Sequence, residues 1–217
     1  MSSSKQPEEP ARRIRLTREQ RHRQLMDVAW KLIHDEGADA LTLGRLSEKA
    51  GVTKPVVYDQ FGSREGLLAR LYQEFDANQT AIMEEALRAC EPRLADIATV
   101  IASSYVNCVS RQGREIPGIV AALAGSPELA IIKKQYEQGF LEKCRGLLAP
   151  FAGEGVISSA ALWGMLGSAE ALSNAATNGD ITPEEAADEL FATIVAMVER
   201  AAVEDSFLPS DMIGGQE

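Results

Sequence analysis

The stretch Thr53-Lys54-Pro55-Val56-Val57-Tyr58 holds side chains suited to gripping an anion rather than to making or breaking bonds. A hydroxyl and an ammonium at the start of a helix sit where unpaired backbone N–H groups and the helix dipole already favour phosphate. Tyr58, one turn beyond Lys54, can reach a backbone oxygen with its hydroxyl, while Val57 and Phe61 face a small core. Gln60 carries the paired donor and acceptor that match adenine. Asp59 would be repelled by phosphate unless it accepts from a cytosine amine, and it reads as facing solvent or pairing with a nearby arginine.

Nothing in the chain makes an equivalent case for catalysis. The two histidines, His22 and His34, lie on one helix at a spacing that turns them to different faces. There is no H-E-x-x-H, no G-x-S-x-G and no glycine loop ahead of a Lys-Ser/Thr pair. Cys90, Cys108 and Cys144 are odd in number and far apart, which excludes a full disulfide framework and gives no zinc motif. The expectation is a binding protein and not an enzyme, with no metal and no cofactor.

For those side chains to line a helix edge, short helices must surround them. Thr17-Arg18-Glu19-Gln20 and Thr182-Pro183-Glu184-Glu185 both fit a capping box, in which the hydroxyl and the fourth side chain satisfy each other's backbone N–H. Pro92, Pro127 and Pro183 suit first helical turns, and Gly37, Gly51, Gly62 and Gly179 suit helix ends. With Ala, Leu and Glu dominant and no sustained alternation, these signals predict an all-α fold of about nine helices. The spacing places them near 18–36, 43–50, 54–61, 64–88, 93–110, 117–124, 127–149, 156–177 and 183–204.

In the first helix Leu25, Val28, Ala29, Leu32 and Ile33 form one apolar stripe. The second starts behind Thr42 and turns Leu43, Leu46 and Ala50 inward, and Gly51-Val52-Thr53 leads sharply into the third. Two short helices joined by a tight glycine turn and braced by a longer one form a helix-turn-helix unit, whose second helix enters the DNA major groove. Charge is divided accordingly. Residues 1–75 hold 13 Lys and Arg against 11 Asp and Glu, a balance of +2, whereas residues 76–217 hold 9 against 21, a balance of −12. A basic head on an acidic body points to one end meeting an anion. Arg12, Arg13 and Arg15 read either as a solvated leader or as an arm for the adjacent minor groove.

Residues 24–72 resemble the N-terminal domain of TetR-family transcriptional regulators, above all through Ala50-Gly-Val-Thr-Lys-Pro-Val-Val-Tyr-Asp-Gln-Phe-Gly-Ser-Arg-Glu-Gly-Leu-Leu68. The resemblance implies a homodimer that binds a palindromic double-stranded DNA operator and is usually released by a small-molecule effector. It implies that Thr42, Thr53, Lys54, Tyr58 and Arg64 meet phosphate or bases. Val56 departs from the small or hydroxylated residue more frequent in the family, and Asp59 and Gln60 stand where aromatic or basic residues are common. Val56 and Gln60 are kept among the candidate DNA contacts.

The expected organisation is a disordered basic tail (1–14), a helix-turn-helix domain (15–63), a ligand-binding and dimerisation domain (64–205) and a flexible tail (206–217). In the body Tyr105, Asn107, Phe140 and Trp163, with Glu170, are candidate pocket residues, since aromatics with a few polar groups suit a small-molecule site. Each taken singly fits ordinary core or surface better than a pocket. Ala160, Gly164, Gly167, Ser168, Ala171 and Ala175 form a stripe of small residues, and Leu190, Ile194, Met197, Val198 and Ala201 an apolar one. Together they would serve a four-helix dimer interface, as the last two helices do in the resembled family, or pack within one chain. No apolar run approaches the ~20 residues that span a bilayer, and the opening MSSSKQPEEPARR has no apolar leader segment. A cytoplasmic location is expected. The alternative reading is a helical small-molecule carrier or interaction module without DNA binding.

Overall fold

Nine α-helices account for most of the described chain, which comprises residues 16–111 and 115–204 of a computed structural model. They are α1 (Arg18–Glu36), α2 (Leu43–Ala50), α3 (Lys54–Phe61), α4 (Arg64–Ala89), α5 (Leu94–Arg111), α6 (Glu115–Ala124), α7 (Pro127–Leu148), α8 (Ser159–Asn178) and α9 (Pro183–Glu204). Two short 3-10 turns, Ala38–Ala40 and Ala149–Phe151, follow α1 and α7. The fold class and helix order match the expectation from sequence. Arg12, Arg13 and Arg15 and the segment 206–217 lie outside the described residues.

Local chemistry sets the limits of these helices. The Thr17 hydroxyl accepts from the Gln20 N–H at 3.1 Å while the Gln20 side chain takes the Thr17 N–H at 2.9 Å. Thr182 and Glu185 repeat the exchange at 3.1 and 2.7 Å at the head of α9. Two expectations shift. Pro92 stands two residues ahead of α5 rather than in its first turn, and α8 opens at Ser159, because Ser158 supplies the cap by accepting from the Ala161 N–H at 3.2 Å.

The helices bury two apolar cores. One belongs to the body, where α5, α8 and α9 pack on one another around Ile101, Val106, Leu162, Leu166, Leu190, Ile194 and Val198. The other belongs to the head, where Leu25, Met26, Ala29, Leu32 and Ile33 of α1 meet Leu43 and Leu46 of α2 and Val57 and Phe61 of α3. Met26 thus takes the buried place expected of Val28, which is half-buried at the margin. Leu67, Leu68 and Leu71 of α4, Ile119 and Leu123 of α6 and Leu129 of α7 join the head core. The core of the head therefore extends past residue 63 and into the helices of the body.

Close approach requires glycine at position 66. A Cβ on Gly66 would lie 2.1 Å from the Phe61 carbonyl oxygen, so α4 can leave α3 this tightly only with no side chain there.

Candidate nucleic-acid interface and ligand cavity

The α2–α3 turn is built around Gly51, whose φ of 65° and ψ of 34° close α2 in the left-handed region open to glycine. Its N–H returns to the Glu48 and Ser47 carbonyls. The chain then enters α3 with Val57 fully buried and Phe61 7% exposed, which anchors the helix on the leucines beneath. That anchoring turns the opposite edge outward: Thr53, Lys54 and Asp59 are exposed and Tyr58 is 53% exposed.

Thr53 stands at the N-cap of α3 without using its hydroxyl as a cap, so the hydroxyl is free to meet a partner outside the chain. Thr42 does cap α2, accepting from the Arg45 N–H at 3.1 Å, and leaves its own proton to donate outward. Lys54 passes close to α2 at Gly44. The position its Cβ would take lies 3.9 Å from both the Thr42 hydroxyl oxygen and Lys54 Cε, so the lysine stem crosses over α2 beside Thr42. Thr42, Thr53, Lys54 and Tyr58 thereby share one solvent-facing edge, with Val56 half-buried behind it.

Two expected contacts are committed elsewhere. Arg64 donates from Nε to the Leu41 carbonyl at 2.8 Å and from Nη2 to the Ala38 carbonyl at 2.9 Å, bracing the turn between α1 and α2 instead of projecting from the edge. Gln60 lies at the seam with α1, its side-chain oxygen 3.3 Å from His22 Nδ1, and the His22 ring packs 5.5 Å from that of Phe61. Both departures arise from tertiary contacts that spacing along one helix does not reveal. Asp59 faces solvent, and no ion pair engages it among the described residues.

In the body a cavity of about 530 Å³ opens between α4, α5, α6, α7 and α8. Tyr105 and Phe140 line it, their rings 5.6 Å apart, and so does Glu170. Asn107 and Trp163 do not: Asn107 is exposed on α5, and Trp163 is 41% exposed on the outer face of α8. The residues missed are those of α4. Tyr72, Phe75, Asp76, Gln79, Thr80 and Met83 follow three-four spacing and continue the stripe of Leu68 and Leu71. That period was the available signal, since the same face changes from leucine to aromatic and polar residues as it passes from head to body.

The cavity wall is dry enough to shift its ionisable groups. Burial, aided by the charges of Asp76 and Glu170, pushes the Tyr72 phenol up to about 12, and burial takes the Cys108 thiol to about 12. Tyr105 is raised for the same reason, with Glu170 adding to the effect. The Asp76 carboxyl is also raised by burial, against the opposing pull of Lys143. Among the described residues no cluster of His, Cys, Asp and Glu could hold a metal ion, and no helix is long and apolar enough to cross a membrane.

The two stripes expected at a dimer interface differ in exposure. Gly164, Gly167 and Ala171 are exposed on α8 beside Trp163, with Ser168 half-buried and bonded back to the Gly164 carbonyl at 3.0 Å. Ile194 and Met197 are instead 0% and 2% exposed within the chain's own core, so they are not available to a second copy. Their face of α9 is the one that packs against α5 and α8.

Residues 25–71 match the family model described as bacterial regulatory proteins, tetR family. Over 92 residues the chain is 29% identical to the HTH-type transcriptional repressor BdcR of Escherichia coli, covering 42% of this chain and 45% of that protein. Over 74 residues it is 34% identical to the HTH-type transcriptional activator FasR of Mycolicibacterium smegmatis, covering 34% of each. The chain therefore matches less than half the length of these relatives. The crystal structure of a transcriptional regulator from Rhodococcus superposes with a TM-score of 0.69 at 17% identity, covering 87% of this chain and 99% of that one, which extends the likeness of fold to the body.

Proposed function

We propose, from the match of residues 25–71 to the tetR family of bacterial regulatory proteins, that this chain is a sequence-specific DNA-binding transcriptional regulator and not an enzyme. The observation that carries the reading is the solvent-facing edge of α3, where Thr53, Lys54 and Tyr58 stand exposed beside Thr42 on a dry leucine core. An edge of this kind suits the major groove. The lysine and hydroxyls grip phosphate, and Val56 and Tyr58 lie near enough to the helix start to approach base edges.

In this reading two copies assemble through the exposed face of α8, with Trp163, Gly164, Gly167 and Ala171 at the contact and the α9 residues Ile194 and Met197 supporting it from within. A two-fold dimer would bind a palindromic operator, its two α3 helices entering grooves about one helical turn, ~34–36 Å, or a multiple apart. The natural location is the bacterial cytoplasm. Repression is the favoured sign, by obstruction of polymerase, although the two relatives named above carry opposite signs.

The cavity is read as the effector site, and two elements couple it to the head. Helix α4 gives Leu67, Leu68 and Leu71 to the head core and Tyr72, Phe75 and Asp76 to the cavity. Helix α6 gives Val120 and Ala121 to the cavity and Ile119 and Leu123 to the head core, while a Cβ on Gly118 would come within 3.0 Å of Ala38 Cβ. Ala38 belongs to the turn that Arg64 braces. An effector that fits the cavity better in one arrangement of α4 and α6 would shift the spacing of the α3 pair by its difference in affinity for the two arrangements.

The reading is tested by titrating the full chain with duplex DNA at two salt concentrations. A regulator loses affinity steeply as salt rises and prefers some sequences. A carrier without DNA binding shows neither.

A further inference from the structure

We infer that the effector is an organic cation with an aromatic or apolar body, held with its positive charge toward Asp76. This rests on the reading of the cavity as the effector site and goes further, to the chemistry of what fills it. The cavity of about 530 Å³ lies within the ordinary range for a drug-sized molecule, roughly 300–1,000 Å³.

Its charges are unbalanced. Among the described lining residues Asp76, Glu137 and Glu170 stand against one lysine, Lys133. That lysine is already spent: its ammonium pairs with Glu137 and lies 3.3 Å from Glu170. Asp76 has no hydrogen bond or ion pair among the described residues, and the ammonium of Lys143, which acts on it from a distance, is paired to Glu84 at 2.6 Å. A half-buried carboxylate without a partner is costly, and a ligand cation would offset that cost.

The walls suit the rest of such a molecule. Tyr72 and Tyr136 meet edge-on with ring centroids 5.4 Å apart, and Tyr72 lies 6.0 Å from Phe75. These rings and Asp76 border one space, so a cation there would meet both a carboxylate and aromatic faces. A separate observation points to a ligand polar atom. The Ser173 hydroxyl, in a residue only 1% exposed, lines the cavity and has no hydrogen-bond partner. A carboxylate or phosphate head group would find no free cation among the described lining residues.

The test is calorimetric titration of the full chain with tetraphenylphosphonium and tetraphenylborate, ions of like size and opposite charge. The wild type should bind the phosphonium at least about tenfold more tightly than the borate. Asp76→Asn should remove most of that preference. Glu199→Gln, which takes the same charge from an exposed position on α9, should leave it. Equal or tighter binding of borate, binding of neither ion, or a preference that survives Asp76→Asn overturns the inference. The wild-type ratio stands by itself should the Asp76 variant fold poorly. Effector action is read separately, on duplex DNA. Phosphonium that binds through Asp76 yet leaves DNA affinity unchanged supports the charge assignment and contradicts the effector reading. A cavity that prefers borate, and whose filling weakens DNA binding, does the reverse.

Discussion

The head and the body place their polar side chains in opposite ways. In the head Lys54, Thr53 and Tyr58 stand in water on a dry core, and Ser47, the buried polar residue of that core, donates to the Gly44 carbonyl at 2.7 Å. In the body Asp76, Tyr105 and Ser173 turn toward the cavity, and the Ser173 hydroxyl lacks a partner among the described residues. A polyanion is met at the surface, where solvated side chains cost little to keep ready and salt screens what they do. A small molecule must be enclosed, so its site keeps polar atoms in a poorly solvated place until the ligand arrives. The contrast teaches where substitutions will show: at the head surface in binding without stability, and at the cavity wall in both.

The sharpest test of that contrast joins a core leucine to the surface edge. Leu67→Ala, at a fully buried position where α4 leaves the head, should cost about 2–5 kcal/mol of stability in denaturant unfolding. The double variant Lys54→Ala/Tyr58→Ala should change stability by less than about 0.5 kcal/mol yet weaken specific DNA binding by about a hundredfold. Were that variant to unfold readily, the edge would be structural and the contrast would fail.

A smaller effect is expected at the proposed dimer face. A Cβ on Gly167 would meet nothing within 4 Å beyond the adjoining backbone of α8, so Gly167→Leu should leave the fold intact and shift sedimentation from dimer to monomer. A dimer that persists at low micromolar concentration would remove the α8 stripe from the interface. Next comes the α9 cap, where Thr182→Ala should cost about 1 kcal/mol and leave DNA and ligand binding alone.

The smallest effect separates two carboxyls by sign. The Glu185 carboxylate, held below its usual range chiefly by the Thr182 N–H, stabilises the fold above the pKa of its unfolded form, and this is lost as pH falls. Asp76 is raised, so its folded form favours the proton. Its contribution is fully present below the ordinary aspartate value of 3.8 and disappears as pH rises through the window just above it. Thermal melts between pH 3 and 7 should show Asp76→Asn gaining on the wild type as pH rises through that window. A parallel pair of melting curves would mean that burial does not penalise Asp76.

What could be read from the residues divides along the same line. The head is written in short-range chemistry: Thr17 with Gln20, Thr42 as a cap, Gly51 at the turn, and Val57 with Phe61 one turn apart all act within a few residues. The partners of Arg64 and Gln60 within the chain, Leu41, Ala38 and His22, are not legible in the sequence because they lie 23, 26 and 38 residues away. The cavity draws on five helices between Tyr72 and Asn174, so the type of residue could not nominate its members. Trp163 looked like a pocket aromatic and stands outside, whereas Tyr72 and Asp76 betrayed themselves only by their period along α4. Ile194 and Met197 show the same limit for surfaces. An apolar stripe records that a face is covered, but not whether its own chain or a second copy covers it.

The most direct measurement is selection of binding sites from random duplex DNA by the wild type and by Lys54→Ala/Tyr58→Ala. The account predicts an enriched palindrome for the wild type that disappears with the variant, placing sequence recognition on the exposed edge of α3. No enrichment by the wild type at low salt, or the same palindrome from both proteins, would contradict it.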